Sequence, residues 1–271
     1  MRGSSRGAAA SVQEAFDAVL TGTGDRIALG EDLFSVSAVI EANPSLRRAL
    51  ADPSRDGAAK RVLAQRLFGG RVSAEATELL GATAAGRWSR EGDFADTVES
   101  LGVQAVLAQA EREGRIDAVE DELFRFERIV AGDPDLRDTL SLRNTDIEGK
   151  AALVRGLLEG KAQPETIRLA EQAVTSPRGR RLDRVLESYL DLAATRREQL
   201  SALVTVAAPL TEQQQARLRT ALERIYTKSV VLHIVIDPNV VGGIRVQVGD
   251  EVVDGTVLRR LDEARRHITG A

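Results

Sequence analysis

The sequence predicts a mostly α-helical protein, with two tandem helical-bundle repeats followed by a small α+β module holding a short β-sheet. Three observations carry that expectation. Aromatic residues are only 3% of the 271, so the core must be Leu, Val and Ala, which suits closely packed helices. The chain resembles itself when shifted by 90 residues. Period-two alternation of apolar side chains, the mark of a half-buried strand, is confined to the stretch after residue 204.

The repeat organises the first 200 residues. Leu33-Phe34 falls on Leu123-Phe124, and Pro44, Leu46, Arg47 and Leu50 fall on Pro134, Leu136, Arg137 and Leu140. Asp56, Lys60, Leu63, Leu67, Gly70, Glu75 and Leu79 fall on Asp146, Lys150, Leu153, Leu157, Gly160, Glu165 and Leu169. These 13 identities over residues 31–79 include helix-starting prolines and helix-ending glycines as well as leucines. Punctuation that recurs together with the apolar stripe marks a duplicated structural unit.

Within the first copy, Ser11-Val12-Gln13-Glu14 has the form of a capping box, predicting a helix from there to Leu20 that Gly22 and Gly24 break. A second helix is expected over 25–42. Pro44 sits where a first helical turn tolerates a missing N–H, Asp52-Pro53 interrupts, and a helix to Phe68 stops at Gly69-Gly70. Another is expected over 73–85. The second copy follows with helices over 116–130, from Pro134, over 146–158 and from Pro164, then a long helix from about Gly179 through Leu203.

The join is a helix over 93–113 with two apolar faces. At 100° per residue Phe94, Val98, Leu101 and Ala105 fall together, and Val103, Val106, Leu107 and Ala110 fall opposite. Such a helix closes one bundle and opens the next; the plainer alternative is one Ala-rich helix inside a single larger bundle. Domain boundaries are expected at 1–101, 102–203 and 204–271.

In the last module Thr211-Glu212-Gln213-Gln214 is a second capping box, starting a helix to about Tyr226. Val230–Ile236 reads as a buried-type strand and Gly243–Val248 as a half-buried one. Gly249-Asp250 reads as a hairpin turn to a returning strand over 251–253. A final amphipathic helix is expected over Val257–Ile268.

Composition excludes several classes. With no cysteine there is no disulfide frame, thiolate metal site or Cys nucleophile. A net charge of −4 argues against a nucleic-acid binder. The N-terminal apolar run is broken by Gln13, Glu14 and Asp17, so no signal peptide is expected. The apolar run Leu200–Leu210 is too short to span a bilayer.

The C-terminal stretch carries a long ordered signature: Val204-Thr205, Pro209-Leu210-Thr211, Asp237-Pro238, Val240-Val241-Gly242-Gly243-Ile244, Gly249-Asp250 and Asp254-Gly255-Thr256. It resembles the delta subunit of rotary ATP synthases, whose mitochondrial counterpart is the oligomycin-sensitivity-conferring protein. Thr256 stands where the family usually has serine. Residues from about Val103 to Leu200 are similar to the family's N-terminal helical domain, most clearly at Glu113-Gly114-Arg115-Ile116 and Asp133-Pro134-Asp135-Leu136. The first hundred residues look like a diverged extra copy, as in enlarged actinobacterial forms, some of which are fused to the membrane-anchored b subunit. No anchor precedes the duplication here, which implies a separate b chain.

The resemblance implies a non-catalytic stator subunit on the cytoplasmic side of a bacterial cell membrane, attached only through the complex. It would receive N-terminal helices of the alpha subunits and meet the C-terminal end of b, with no cofactor, metal, nucleic acid or homo-oligomer. Apolar spacing and the same analogy make Val106, Leu107, Leu186, Tyr189 and Leu190 the candidate partner groove, in the helix-in-groove mode. The competing reading is a helical adaptor unrelated to ATP synthase.

No catalytic set is expected. Val241-Gly242-Gly243 lacks the spaced glycines and following helix of a phosphate cradle and suits a bulge or close backbone approach. His233 lies in an apolar strand, and His267 at a helix end. Asp250, Glu251 and Asp254 do not have calcium-loop spacing. Arg178, Arg180, Arg181 and Arg184 read as a solvated helix start, and Trp88 as packing.

Overall fold

The computed structural model describes residues 3–141, 146–198, 200–226, 229–237, 240, 243–248 and 251–254. Contacts divide the chain into two compact units, Met1–Arg197 and Glu198–Ala271.

The first unit is helical. Its elements are α1 (Ser4–Gly22), α2 (Arg26–Ala42), α3 (Pro44–Ala51), α4 (Gly57–Phe68), α5 (Ala74–Ala85) and α6 (Glu91–Arg112). They are followed by α7 (Ile116–Gly132), α8 (Pro134–Ser141), α9 (Ile147–Leu158), α10 (Pro164–Thr175) and α11 (Leu182–Glu198). Helices α7 to α10 each begin and end 90 residues after α2 to α5. The duplication therefore holds at every helix boundary in that span.

The boundaries recur because the same chemistry sets them. Asp56 caps α4 by accepting from the Ala59 N–H, and Asp146 caps α9 from the Glu148 N–H, each satisfying a donor the helix leaves open. Gly70 and Gly160 follow α4 and α9 at φ +75° and +71°, where a side chain would strain the backbone. The entries to α5 and α10 match even where the residues differ. The Ser73 N–H donates to Asp32 at 2.8 Å, and the Gln163 N–H donates to Glu122 at 2.8 Å.

Two sequence expectations fail here. The predicted capping box at Ser11 starts nothing, because α1 begins at Ser4. Ala8-Ala9-Ala10 are strong helix formers. The added turns are also anchored, since buried Ser5 accepts from the Ser89 N–H at 2.8 Å. The long last helix ends at Glu198 instead of Leu203, and Leu200–Val206 is a strand. A short apolar run cannot be assigned to helix or strand by periodicity alone, and parallel pairing with a later strand decides it.

Two apolar clusters fill the first unit. One gathers Val12, Phe16 and Leu20 of α1 with Leu29, Leu33 and Ile40 of α2 and with Leu79, Leu80 and Trp88. The other gathers Val119, Leu123, Phe126 and Val130 of α7 with Val154, Leu169, Ala173, Leu186 and Tyr189. Helix α6 serves both, as its two-faced pattern predicts. Phe94, Val98, Leu101 and Ala105 enter the first cluster, and Val103, Val106, Leu107 and Ala110 enter the second.

The second unit holds β1 (Leu200–Val206), α12 (Glu212–Tyr226), β2 (Val230–Ile236), β3 (Ile244–Val248) and β4 (Glu251–Asp254). The sheet order is β2-β1-β3-β4, with β1 parallel to β2 and antiparallel to β3, which pairs antiparallel with β4. All four strands thus pair within the chain. The Thr211 capping box forms as predicted, with the Gln214 N–H donating to Thr211 Oγ1 and the Thr211 N–H to Gln214 Oε1. Ala202, Val204, Val206, Val230, Val246, Val248 and Leu222 make the core. β2 corrects the buried-type reading: it is an edge strand, with Val235 and Ile236 exposed. The Gly249-Asp250 turn and the Val257–Ile268 helix lie outside the described residues.

Candidate functional site

The residues expected to form the partner groove lie on α6 and α11. The structure places Val106, Leu107, Leu186 and Tyr189 in the second cluster, all buried, with Leu190 half-buried against it. The five belong to one apolar mass. Part of it is covered by the chain's own α2. Gly30 and Gly102 let the two helices approach closely: a Cβ at Gly30 would meet the Gly102 carbonyl at 3.2 Å, and one at Gly102 would meet the Phe34 ring at 2.7 Å. Phe34 lies buried in that same second cluster.

Charged side chains fasten this junction. The Arg168 guanidinium stands 4.6 Å from the centre of the Phe34 ring and donates two hydrogen bonds to Glu31. This is a cation over an aromatic face combined with a bidentate carboxylate pair. Arg26 donates to the Ala108 carbonyl at 2.7 Å, and Arg112 to the Gly24 carbonyl at 2.7 Å.

The strongest charge cluster surrounds Glu99 of α6, which is 1% exposed. Its carboxylate accepts from Arg178 at 2.8 Å, from Arg180 at 2.6 and 2.5 Å, and from the Tyr189 hydroxyl at 2.8 Å. Arg178 also pairs with Asp96 at 2.9 Å and Glu41 at 3.4 Å. Burial, then the neighbouring Glu99 charge, holds the Tyr189 phenol well above the ordinary tyrosine range. The Arg178 guanidinium is disfavoured by burial, yet Glu99 and Asp96 together raise its pKa above the ordinary value. Arg178 adopts φ +52°, a left-handed conformation uncommon for a side-chain residue. The solvated-helix-start reading of this run is therefore right only for Arg181 and Arg184, whose side chains are 81% and 70% exposed.

A cleft of about 520 Å³ opens between α7, α8 and the start of α11. Val130, Leu140, Ala173, Leu182 and Leu186 line it, with Arg137, Asp138, Arg181 and Glu187 also in its wall. Leu186, a groove candidate, thereby has a place in the wall of this cleft.

The C-terminal signature maps onto the small unit. Pro209, Leu210 and Thr211 lead into α12, Asp237 follows β2, and Asp254 ends β4. The Asp237 N–H donates to the Val206 carbonyl at 2.9 Å, tying the end of β2 to the end of β1. Gly243 takes φ +84° just before β3, a backbone reason for glycine that needs no phosphate. Pro238, Gly242, Gly249 and Gly255 lie outside the described residues, as do Asp250 and His267. Trp88 is buried and donates to the Thr83 carbonyl at 2.8 Å, edge-on to Phe94.

Among the described residues, no three His, Cys, Asp or Glu side chains are grouped to hold a metal. Nor is any described helix long and apolar enough to cross a membrane. Sequence reasoning missed Glu31, Phe34, Glu99 and Arg168. Phe34 had a signal, being one of the repeat identities. Glu99 had none, because its partners lie about 80 residues away.

Comparison with known proteins agrees across the chain. Residues 103–268 match the family model described as ATP synthase delta (OSCP) subunit. An ATP synthase subunit delta of Kineococcus radiotolerans is 46% identical over 99% of this chain and 98% of its own. One from Streptomyces griseus is 45% identical over 100% of both. A chain of the Toxoplasma gondii mitochondrial ATP synthase hexamer aligns with 62% of this chain and 94% of its own at 19% identity. Its TM-score is 0.29, too low to speak for the fold.

Proposed function

The chain belongs to the ATP synthase delta (OSCP) family, and we propose from that premise how its faces are used. It is a peripheral-stalk subunit of a proton-translocating ATP synthase, linking the catalytic head to the stalk. The observation that carries this is identity of 46% extending over 99% of the chain, duplicated half included.

The work is mechanical. Rotor torque would spin an untethered head, so the link must be static and stiff. We take the chain to be non-catalytic, doing this through contact alone, on the cytoplasmic side of the membrane. The helical unit would receive N-terminal helices of the alpha subunits, and the C-terminal unit would meet the end of the b subunit. Val106, Leu107, Leu186 and Tyr189 would shape the receiving face from beneath, and half-buried Leu190 would reach the incoming helix. The domains would divide at 1–101, 102–203 and 204–271, with α6 shared between the first two.

Affinity purification through this chain tests the partners, with alpha and b chains expected in the eluate. Deleting residues 1–92 and measuring retention of the head on membranes then asks what the first copy adds. Normal proton coupling in cells lacking the chain would refute the stator role. An eluate without alpha or b chains would refute those partner assignments.

A further inference from the structure

The internal repeat allows the same position to be seen in two states, once covered and once open. On α2, Leu29, Leu33, Val36 and Ile40 enter the first cluster; 90 residues on, Val119, Leu123, Phe126 and Val130 of α7 enter the second. The two helices are thus in one register, and their flanks can be compared residue by residue. Glu31 and Phe34 correspond to Asp121 and Phe124.

On α2 that flank is occupied. Phe34 is 4% exposed, packed over Gly102, with Arg168 above its ring and bound to Glu31. On α7 the same flank is open, and Phe124 is 52% exposed. One difference between the copies is Glu120, which stands where α2 has Gly30. A glycine there lets α6 approach; Glu120 instead reaches Arg197 of α11 at 3.2 Å. Asp121 pairs with Arg125 one turn along, both more than 60% exposed, a contact readily exchanged. Helix α7 carries five carboxylates against two arginines, so the flank suits a basic partner.

We propose that Asp121 and Phe124 form a docking site for an arginine-bearing helix of another subunit of the synthase. Its guanidinium would lie over the Phe124 ring and pair with Asp121, as Arg168 does with Phe34 and Glu31. This rests on the stator reading above, and it adds a contact face distinct from the α6–α11 face.

The test places the photo-reactive analogue p-benzoylphenylalanine at position 124 of the full chain. The synthase is then purified through a different subunit and irradiated. The expected cross-link joins another subunit within about one helical turn, 3.6 residues, of an arginine. Phe124→Ala combined with Asp121→Asn should weaken retention of the chain in the washed complex on the order of tenfold, with the melting temperature of the isolated chain unchanged. No cross-link, a cross-link to a second copy of this chain, or one to a segment without arginine would overturn the proposal while leaving the stator role standing. Absence of the chain from the purified synthase would overturn both.

Discussion

Glu99→Gln isolates what the buried charge cluster contributes. The substitution keeps the shape of the side chain and removes its charge. It leaves Arg180, and the 6% exposed Arg178, without the carboxylate they share. Arg178 retains Asp96 and Glu41, whose side chains are 47% and 38% exposed and are screened by water. Breaking a buried pair from one side costs about 3–5 kcal/mol, because the remaining charge stays desolvated. For a chain of this size 1 kcal/mol moves the melting temperature by about 2–4 °C, so a fall of roughly 6–20 °C is expected. The assay is thermal unfolding of the full-length chain followed by the helical circular dichroism signal. The internal control is Glu187→Gln. Among the described residues Glu187 pairs with Arg184 three residues away, their side chains 49% and 70% exposed, where such a bond is worth about 0.3–0.5 kcal/mol. A Glu99→Gln protein melting within 2 °C of the Glu187→Gln protein would refute the reasoning, since the cluster would then add no net stability.

The Tyr189 phenol is held protonated by burial and by Glu99, so the folded state keeps a proton that an unfolded tyrosine loses near pH 10. Its stabilisation is complete below that pH and falls as pH rises beyond it, and Tyr189→Phe should flatten that part of a plot of unfolding midpoint against pH. Gly102→Ala puts a Cβ within 2.7 Å of the Phe34 ring and should cost about 1–3 kcal/mol in urea denaturation; an unchanged midpoint would mean that α2 can shift freely. Thr211→Ala should lose about 1 kcal/mol by removing a helix cap, whereas Ser11→Ala, inside α1, should stay within about 0.5 kcal/mol.

The legible parts of this fold were those written in local chemistry. Pro44 and Pro134, Asp56 and Asp146, and Gly70 and Gly160 each act on their own turn of backbone, so a match between them survives divergence elsewhere. The two-faced α6 was readable because burial on both sides leaves apolar residues at two phases of the helical period. The start of α1 and the end of α11 were not. Both depend on distant partners: Ser89 for Ser5, and β2 for the run Leu200–Val206. The candidate face was readable only as apolar positions. That Gly30 lies against Val106 while its counterpart Glu120 pairs with Arg197, on a helix where Phe124 stands open, is settled only in the packed chain. Neither Gly30 nor Glu120 announces its role in the sequence.

The shared helix bears on why a duplicated bundle suits a stator. Two bundles joined by an exposed linker would move about it, since relative motion is the default where the interface is small. Here the joint is a continuous 22-residue helix whose opposite faces lie in different cores. Bending at the joint would disturb apolar packing on both sides at once and pull Glu99 away from Arg178 and Arg180. It would also separate Phe34 from Gly102 and Arg168. Packed cores resist small deformations because filled space leaves little room to rearrange. The extra first copy therefore adds to the link without adding a hinge, which a tether under torque requires.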